Sequence, residues 1–469
     1  MDRLTIVGQV AAVSSGEVGT SPIGLGFEKL DRAVFEPEKA YDKVAALGVK
    51  WIRIQSGWAR TERERGVYDF SWLDGIVDNL RQRGLLPWMC LCYGNGLYTE
   101  AATKVFGAVG CPPIASDAER QAWHHYVAAL TAHYRGRVAW YEVWNEPDGK
   151  WCWKHGPNGT EYGEFVKATA AAVKAGDPDA KVIGGSTCLH DLAWLNEVLQ
   201  TGAAACMDAL TYHAYSPDEV AGFNRVRALR ALCHAYNPDM EIIQGETGCQ
   251  SRNDGKGALT GAAWTPIRQA KYMARHTLAD LFDEVKFSSY FSCMDMIEAL
   301  NGTVGDKSSY LDYGYFGVLG ADFDANGVAT GEYTPKPSYR TLQVLAALFR
   351  DGVALAELPI QFAQSRRSPR LLRGDDSVKD LLYGGFRKPN GATAFVYWRP
   401  TELLTSTYES TVSMQVAALP GEAKLIDLVD GTIYALPSSM VEDNGHGCRM
   451  FVNLPLRDYP LALVFGDFA

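Results

Sequence analysis

Residues 141–147, Tyr-Glu-Val-Trp-Asn-Glu-Pro, are the stretch on which the interpretation of this chain depends. The aromatic and β-branched side chains at 141, 143 and 144 favour a buried strand. Pro147 cannot continue a strand, so the strand ends with Glu146 at its exposed end. A carboxylic acid in that position is suited to giving and taking a proton, and the neighbouring Asn145 can hold a substrate hydroxyl. Taken alone, the pattern is equally typical of a strand that ends in a solvated glutamate.

The rest of the chain places this strand fourth in a series of eight strand-then-helix units. The predicted strands are 22–28, 49–55, 85–93, 139–144, 181–185, 209–213, 241–246 and 284–291. The predicted helices are 37–47, 70–83, 118–134, 161–175, 192–200, 219–236, 266–282 and 337–349, and a long loop covers 292–334. This alternation predicts an α/β fold in which residues 21–350 form a (β/α)8 TIM barrel. A doubly wound sheet usually has a glycine-rich phosphate turn after its first strand, and residues 24–26 lack the third glycine.

The tail changes to short β-rich runs at hairpin spacing, separated by turn signals such as Asp430-Gly431. Residues 351–469 are therefore predicted to form a C-terminal antiparallel β-sandwich domain. A strand within residues 1–20 has no place in the barrel and is expected to join that sandwich.

Composition limits the classes of function. The formal net charge of −10 argues against a nucleic-acid partner, and no apolar run is long enough to predict a membrane partner. The N-terminus has no secretory signal pattern, so we expect a cytoplasmic protein, with a removed leader left open. The ten cysteines are interpreted mostly as buried thiols. A homo-oligomer is possible, because a sandwich beside a barrel offers a packing surface.

A second carboxylate stands at the end of the seventh predicted strand, where Glu246 is followed by Thr247 and Gly248. The C-terminal ends of barrel strands meet at one mouth, so Glu146 and Glu246 are expected to face each other there. Hydrolysis of a glycosidic bond requires such a pair, one carboxyl as proton donor and the other as nucleophile. The alternative interpretation of Glu246 is a salt-bridged strand end.

These motifs resemble those of a clan A glycoside hydrolase. Residues 144–147 resemble the fourth-strand signature of that clan, Glu246 lies at its nucleophile position, and Arg53 resembles the arginine that supports the nucleophile. The further matches are His213 and Tyr215 on the sixth strand, residues 316–319 and residues 336–339. Within the clan, the barrel with a sandwich is most similar to family 39, which includes β-xylosidases and α-L-iduronidases. Residues 289–293 depart from the clan by lacking a tryptophan, and residues 245–248 depart at the position after Glu246.

The resemblance implies a retaining glycosidase that acts by double displacement. Glu246 would be the nucleophile and Glu146 the acid and base, Asn145 would bind the 2-hydroxyl of the sugar, and Tyr215 would orient Glu246. We expect an exo-acting enzyme on small glycosides. An endo-acting glycanase, or a catalytically inactive sugar-binding protein on the same fold, are the alternatives.

Aromatic side chains are frequent in the predicted mouth loops, and their flat faces suit the C–H faces of sugars, although each is also typical of packing. The candidate substrate-binding residues are Arg53, Trp58, Tyr93, Asn145, Trp151, Trp153, His213, Tyr215, Trp264 and Tyr290. No metal or other cofactor is expected, because His124, His125 and His133 do not share a helix face. No Gly-x-Ser-x-Gly motif is present, which argues against a serine hydrolase.

Overall fold

The computed structural model describes residues 4–362, 381–417, 419–443, 445 and 447–469. Residues 1–3 of the predicted N-terminal segment and residues 363–380 of the predicted sandwich lie outside the described residues, as do 418, 444 and 446.

Eight parallel strands close into a barrel, in which each strand pairs with the next along the chain and the last pairs with the first. Strand β1 (Thr5–Gln9) precedes the barrel and lies outside it. The barrel strands are β2 (Ile23–Gly26), β3 (Trp51–Gln55), β4 (Leu86–Leu91), β5 (Trp140–Val143), β6 (Lys181–Thr187), β7 (Ala209–His213), β8 (Glu241–Thr247) and β9 (Ser288–Tyr290). All eight predicted strands are present, and the predicted barrel fold is confirmed.

Helices cover the outside of the barrel and turn the chain back towards the start of each following strand. They are α1 (Tyr41–Ala45), α2 (Trp58–Thr61), α3 (Ser71–Gln82), α4 (Asp117–His133), α5 (Gly159–Gly176), α6 (Leu192–Gln200), α7 (Glu219–Tyr236), α8 (Pro266–Phe282) and α9 (Pro337–Leu348). Polar side chains cap several of them: Ser116 accepts a hydrogen bond at the start of α4, Asp218 at α7 and Thr265 at α8. The first predicted helix is split into a 3-10 turn, Pro37–Lys39, and the short α1.

The segment predicted as a single loop, 292–334, contains two small hairpins instead. They pair β10 (Met296–Ile297) with β11 (Tyr313–Gly314), and β12 (Leu319–Phe323) with β13 (Ala329–Pro335). Gly327, with φ of 81°, lies in the tight turn between β12 and β13.

After α9 the described chain forms two antiparallel sheets that face each other. The strands are β14 (Ala354–Leu355), β15 (Ile360–Phe362), β16 (Leu382–Arg387), β17 (Thr393–Trp398), β18 (Ser410–Ala417), β19 (Ala423–Asp427), β20 (Thr432–Ala435), β21 (Val441–Asp443), β22 (Cys448–Leu456) and β23 (Leu461–Phe465). One sheet has seven strands and the other four, and β1 pairs with β20 at the edge of the larger sheet. Phe395, Leu425 and Leu454 belong to the apolar core of the sandwich.

The two ends of the barrel differ in what fills them. At the N-terminal ends of the strands, Trp88, Ile183, Ile243 and Phe287 form a fully buried apolar cluster. Above this layer the inward side chains become polar, beginning with Arg53. Among the described residues, the interior of the barrel is therefore closed at this end and opens at the C-terminal ends of the strands. No helix in the described part of the chain is both long enough and apolar enough to cross a bilayer.

Helix α8 contains two buried ion pairs at the boundary with the sandwich: one crosses to the sandwich, and the other lies within the barrel and is contacted by a sandwich tryptophan. Lys271 Nζ lies 2.9 Å from both carboxylate oxygens of Asp458, in the loop before β23. Arg275 donates two hydrogen bonds of 2.7 Å to Glu219 at the start of α7, and Trp398 of β17 donates to the same carboxylate. Because these groups are almost entirely buried, each charge depends on its partner.

We expect Asp458→Asn to destabilise the protein by about 3–5 kcal/mol, because it leaves the Lys271 charge buried without a counter-charge. Urea denaturation followed by circular dichroism measures the change as a lower unfolding midpoint. The control is Glu100→Gln, which removes an exposed ion pair to Lys104 and is expected to leave the midpoint unchanged. Equal shifts in the two variants would contradict the importance assigned to the buried pair.

Candidate active site

Two glutamates stand at the open end of the barrel, on strands that lie three positions apart. Glu146 follows β5, which ends at Val143, and Glu246 belongs to β8. The backbone that carries Glu146 is unusual, because Trp144 has φ of 68° and Glu146 has φ of 45°. Left-handed backbone at non-glycine residues costs about 1–3 kcal/mol each and is concentrated at functional sites.

The two carboxylates are close to each other and to one histidine. A carboxylate oxygen of Glu146, one of Glu246 and a ring nitrogen of His213 all lie within 4.8 Å of one another. His213 Nδ1 is 2.8 Å from Glu146 Oε1 and 3.6 Å from Glu246 Oε2. Burial alone would lower the pKa of His213, but the two neighbouring carboxylates outweigh it and raise that pKa.

Arg53 of β3 is the centre of the polar layer beneath the carboxylates. Its side chain is fully buried, and Nη1 donates to Glu246 Oε2 at 2.8 Å and to Glu28 Oε2 at 3.1 Å. Nε and Nη2 both donate to Glu142 Oε2, and Nη2 also donates to Asn145 Oδ1 at 2.8 Å. Arg53 therefore holds both Glu246 and the amide of Asn145 in fixed orientations.

Glu246 is stabilised in its ionised form. Burial would raise its pKa, but the charges of His213 and Arg53 and a hydrogen bond from the hydroxyl of Tyr215 to Glu246 Oε1 outweigh burial. Its pKa therefore lies below the ordinary value. The environment of Glu146 is different: Trp151 Nε1 donates to Oε2 and His213 approaches Oε1, and no arginine or lysine forms an ion pair with it among the described residues.

A third carboxyl group, that of Glu28, lies beside this pair. Burial raises the pKa of Glu28 to about 7, against the lowering effect of Arg53. Its Oε1 atom is buried and has no hydrogen-bond partner in the described part of the chain. The same holds for Nη1 of Arg32, whose other nitrogens contact Asp31 and Gln55. An unpaired buried acceptor and an unpaired buried donor are costly unless a ligand pairs with them.

The carboxylates open into a cavity of about 440 Å³, called the mouth cavity below. Of the residues predicted from the sequence, Tyr93, Asn145, Glu146, Trp151, Tyr215 and Glu246 line it. Arg53 and His213 lie directly behind the carboxylates, with no exposed surface. The lining also contains Glu28, Lys29, Arg32, Gln55, Phe291 and Glu298, which the sequence interpretation did not select.

Four predicted substrate contacts are corrected by the structure. Trp58 has no exposed surface and stacks on Tyr98 and Tyr126, inside the core. Trp153 also has no exposed surface, and its ring contacts Trp144. The last two, Trp264 and Tyr290, are almost fully buried, their polar atoms face backbone carbonyls, and neither lines the mouth cavity. The reason is shared by all four: closeness to a strand end along the chain does not determine which way a side chain faces.

Two residues that the sequence interpretation missed, Glu28 and Glu142, had weak signals in the sequence. Glu28 ends the short apolar run of the first strand, and Glu142 is a single acid inside the buried β5. Either residue is unusual in a strand core, where charged side chains need a partner. A search for acids inside apolar strands would have selected both.

The distances between Glu146, His213 and Glu246 alone would allow them to bind a metal ion, because three donor atoms lie close together. The same atoms already bond to each other or to Arg53, and the guanidinium 2.8 Å from Glu246 repels a further cation. The arrangement is therefore suited to proton transfer and nucleophilic attack by carboxylates. That no metal takes part stays a prediction.

Comparison with known proteins identifies the family. The family model described as glycosyl hydrolases family 39 matches residues 38–413. A β-xylosidase of Geobacillus stearothermophilus is 25% identical over 382 residues, which cover 71% of this chain and 69% of that relative. Endo-1,4-β-xylanase A of Phanerodontia chrysosporium is 30% identical over 132 residues, which cover 27% of this chain and 29% of that relative.

Solved structures agree in fold. A family 39 glycoside hydrolase from Bacteroides cellulosilyticus WH2 superposes with a TM-score of 0.67 at 17% identity, over 97% of this chain and 82% of the other. A monomeric β-xylosidase from Caulobacter crescentus CB15 superposes with a TM-score of 0.59 at 18% identity, over 98% of each chain. At these identities the similarity establishes the fold, whereas the family model covers most of the chain. The chain therefore belongs to family 39 of the glycosyl hydrolases.

Proposed function

We propose that the protein is a retaining glycosidase that removes single β-linked xylose units from small glycosides. The observation that carries the retaining mechanism is that one oxygen of Glu146 and one of Glu246 lie within 4.8 Å of each other. Retaining enzymes hold their carboxyl groups about 5–5.5 Å apart, so that one can reach the anomeric carbon. Inverting enzymes need about 6.5–9.5 Å, to leave room for a water molecule.

Two steps follow from this geometry. In the first, a Glu246 oxygen attacks the anomeric carbon while the bond to the leaving oxygen breaks, and that oxygen takes the proton of Glu146. In the second, a water molecule gives a proton to Glu146 and its oxygen bonds to the anomeric carbon, so that the ester breaks and Glu246 returns as a carboxylate. The lowered pKa of Glu246 supports its role as the nucleophile.

Asn145 is suited to bind the 2-hydroxyl of the sugar. Arg53 fixes its Oδ1, and Nδ2 points one hydrogen at Cys152 Sγ, 3.4 Å away. The amide orientation is thereby set, and the second hydrogen of Nδ2 remains for the substrate. A hydrogen bond at this position strengthens as positive charge develops on the sugar ring, so it lowers the barrier and not only the binding energy.

The sugar itself would be recognised on the β2, β3 and β9 side of the mouth cavity. Glu28 Oε1 and Arg32 Nη1 provide an unpaired acceptor and an unpaired donor there. Lys29 Nζ lies 3.4 Å from Glu298, and both residues line the same wall. Alternating donors and acceptors suit the hydroxyl groups of a carbohydrate, each of which donates and accepts.

Exo action is supported by loops that close one side of the mouth. Lys154 Nζ, after β5, lies 3.2 Å from the carbonyl of Leu300 and from Asn301 Oδ1, after β9. On the same side the rings of Phe106 and Tyr310 stack with centroids 4.1 Å apart. A cavity closed on the sugar side holds the end of a chain, whereas endo action requires an open groove.

The choice of xylose rests on a relative, the β-xylosidase that matches 71% of this chain. Endo action on xylan is the second candidate, because an endo-1,4-β-xylanase matches 27% of the chain at higher identity. A catalytically inactive binding protein is less well supported, since both carboxylates and their orienting partners are in place. A cytoplasmic location, the absence of a nucleic-acid or membrane partner and a possible homo-oligomer stay predictions.

We expect the wild-type protein to hydrolyse 4-nitrophenyl β-xyloside and to release xylose first in the β form, because two inversions restore the configuration. Proton NMR recorded within the first minutes distinguishes the β anomer from the α anomer before mutarotation. Initial release of α-xylose would contradict the retaining mechanism.

Two variants test the roles assigned to the carboxylates. Glu246→Gln and Glu146→Gln keep the shape of each side chain and remove its charge. Glu246→Gln is expected to lower kcat/KM by more than about 1,000-fold, because the nucleophile is lost.

A panel with β-glucoside, β-galactoside, α-arabinoside and glucuronide measures the sugar preference. Hydrolysis of another glycoside instead of the xyloside, with retention, would overturn the choice of xylose and leave the retaining mechanism standing.

We expect Tyr215→Phe to lower kcat/KM by about 10-fold or more and to move its acidic limb to higher pH by about 1 unit. The hydroxyl of Tyr215 stabilises ionised Glu246, and a hydrogen bond to a charged group contributes about 1.5–3 kcal/mol. Its loss raises the pKa of Glu246, so the nucleophile becomes protonated at a higher pH. The pH dependence of kcat/KM measures this shift.

The control for this prediction is Tyr397→Phe, which removes a buried tyrosine hydroxyl in the sandwich, 2.9 Å from the carbonyl of Pro455. That variant is expected to leave the acidic limb where it is. An acidic limb that stays in place in Tyr215→Phe as well would sink the assignment of Tyr215 to the nucleophile.

A further inference from the structure

Glu28 and Glu246 share one nitrogen of Arg53. Glu246 Oε2 accepts a hydrogen bond from Nη1 at 2.8 Å, and Glu28 Oε2 accepts from the same nitrogen at 3.1 Å. The other two nitrogens of the guanidinium, Nε and Nη2, donate to Glu142 and Asn145. Nη1 therefore has two carboxyl groups as partners, and both belong to residues that line the mouth cavity.

The proton of neutral Glu28 is on the oxygen that does not face the arginine. Oε2 accepts from Arg53, so the proton is placed on Oε1, which has no hydrogen-bond partner among the described residues. A Cβ at Gly26 would lie 2.8 Å from Oε1, so the lack of a side chain there leaves the room that this oxygen occupies. Because Glu28 lines the mouth cavity, its proton has a route to solvent.

Three buried carboxyl groups around one guanidinium cannot all be ionised without an excess of negative charge. Glu28, Glu142 and Glu246 all accept hydrogen bonds from Arg53. Glu246 has His213 as a second charged neighbour at 3.6 Å, which favours its ionised form. Burial is the largest cause that raises the pKa of Glu28, to about 7; Arg53 and His213 lower it, and the charge of Glu246 raises it further.

Only one charged group that faces Glu28 in the described part of the chain loses its charge in the proposed reaction. Cys293, after β9, contributes a thiol whose pKa is raised by burial, so it stays uncharged. The ammonium group of Lys29, the next residue along the chain, donates to the carbonyl of Ile297 and to Glu298 instead. The remaining groups are Arg53, His213 and Glu246, of which Glu246 becomes an ester.

Formation of the ester moves negative charge from one glutamate to the other. Glu246 becomes neutral, while Glu146 gives its proton to the leaving oxygen and becomes a carboxylate. His213 Nδ1 lies 2.8 Å from Glu146 Oε1, so the histidine keeps a counter-charge throughout the step. The positive charge that loses a partner is therefore the one at Nη1 of Arg53.

Glu28 is the carboxyl group in position to replace Glu246 at this nitrogen. Glu142 bonds Nε and Nη2 of Arg53, whereas Glu28 Oε2 already lies 3.1 Å from Nη1. When the charge of Glu246 disappears, Glu28 loses a repulsive neighbour and keeps the attraction of the arginine. A change of one charge at this range shifts the pKa of a carboxyl group by about 1–3 units, here downward.

We infer that Glu28 is a positioning residue that ionises when Glu246 becomes esterified and so keeps Arg53 paired in the glycosyl-enzyme. The O–H bond at Oε1 breaks, the proton passes to a water molecule in the mouth cavity, and the electron pair stays on the carboxylate. When water hydrolyses the ester and Glu246 returns as a carboxylate, Glu28 takes up a proton from solvent. This inference rests on the proposed glycosidase function and adds to it a role for a third carboxyl group.

The first test needs no reaction, because Glu246→Gln imitates the neutral ester. The side-chain carboxyl groups of Asp and Glu are labelled with carbon-13 and titrated by NMR, and the Glu28 signal is identified by its absence in Glu28→Gln. Its midpoint is expected to fall by about 1–3 units between the wild type and Glu246→Gln. A midpoint that stays in place or rises would overturn the inference. If Glu28→Gln does not fold, Glu28→Asp identifies the signal by moving it into the aspartate region.

Asp427 is the internal control of this titration. It is a buried carboxyl group of the sandwich, whose pKa burial raises to about 6, and it accepts a hydrogen bond of 2.9 Å from the hydroxyl of Tyr459. Its signal, identified with Asp427→Asn, is expected to titrate at the same pH in the wild type and in Glu246→Gln. A shift of both signals would show a general change of the protein and would overturn the specific link between Glu28 and Glu246.

The second test counts the protons released when the glycosyl-enzyme forms. A 2-deoxy-2-fluoro-β-xyloside with a dinitrophenyl leaving group labels the enzyme in a pH-stat, and dinitrophenolate leaves without taking a proton from solution. Near pH 6 the wild type is expected to release about half to one proton more per labelled site than Glu28→Gln. Asp427→Asn, the matched control, is expected to release as many protons as the wild type.

Equal proton release in the wild type and Glu28→Gln would overturn the inference and leave the proposed glycosidase function standing, because labelling itself took place. A wild type that is not labelled and hydrolyses no glycoside of the panel would overturn the proposed function, and with it the role of Glu28 in the reaction.

Discussion

The guanidinium of Arg53 is completely buried, and it donates hydrogen bonds to Glu28, Glu142, Glu246 and Asn145 at the same time. A buried arginine keeps its charge, and the cost of removing that charge from water is offset only when several acceptors surround it. Because its donors lie in one rigid plane, the four partners have little freedom to move. Groups from three separate segments of the barrel mouth therefore keep a common geometry, and the positions of the nucleophile and of the amide beside it follow from a single side chain.

The same arginine contacts two carboxylates with opposite outcomes. Nη1 donates to both Glu246 and Glu28, yet the pKa of Glu246 is lowered whereas burial raises that of Glu28 to about 7. The difference lies in the other partners: Glu246 also has His213 and the hydroxyl of Tyr215, and Glu28 Oε1 has none among the described residues. When the pKa values of neighbouring carboxyl groups differ in this way, one group is ionised and the other protonated at the same pH, so each has a distinct role.

The barrel was predictable because eight strands alternate with eight helices. Each strand and each helix could be recognised from its own residues, so the pattern did not depend on any single segment. Glu146 and Glu246 were selected because the C-terminal end of every strand in a parallel barrel lies at the mouth. Side-chain direction was not predictable to the same degree. Trp58 and Trp153 follow strand ends as Trp151 does, but they turn into the core, and only the fold around them decides this. Of the hairpins in this segment, the one formed by β10 and β11 was missed because two-residue strands carry too little periodicity to be recognised.

The central claim, that Glu246 attacks the sugar, is tested most directly by trapping the covalent intermediate. A 2-deoxy-2-fluoro-β-xyloside with a dinitrophenyl leaving group forms the ester quickly and hydrolyses it slowly, because fluorine destabilises the positive charge on the ring. Proteolysis and mass spectrometry then locate the label. The account predicts one added sugar on the peptide that contains Glu246, and none in Glu246→Gln. A label on Glu146 or Glu28, or no label on a protein that hydrolyses the unfluorinated xyloside, would contradict it.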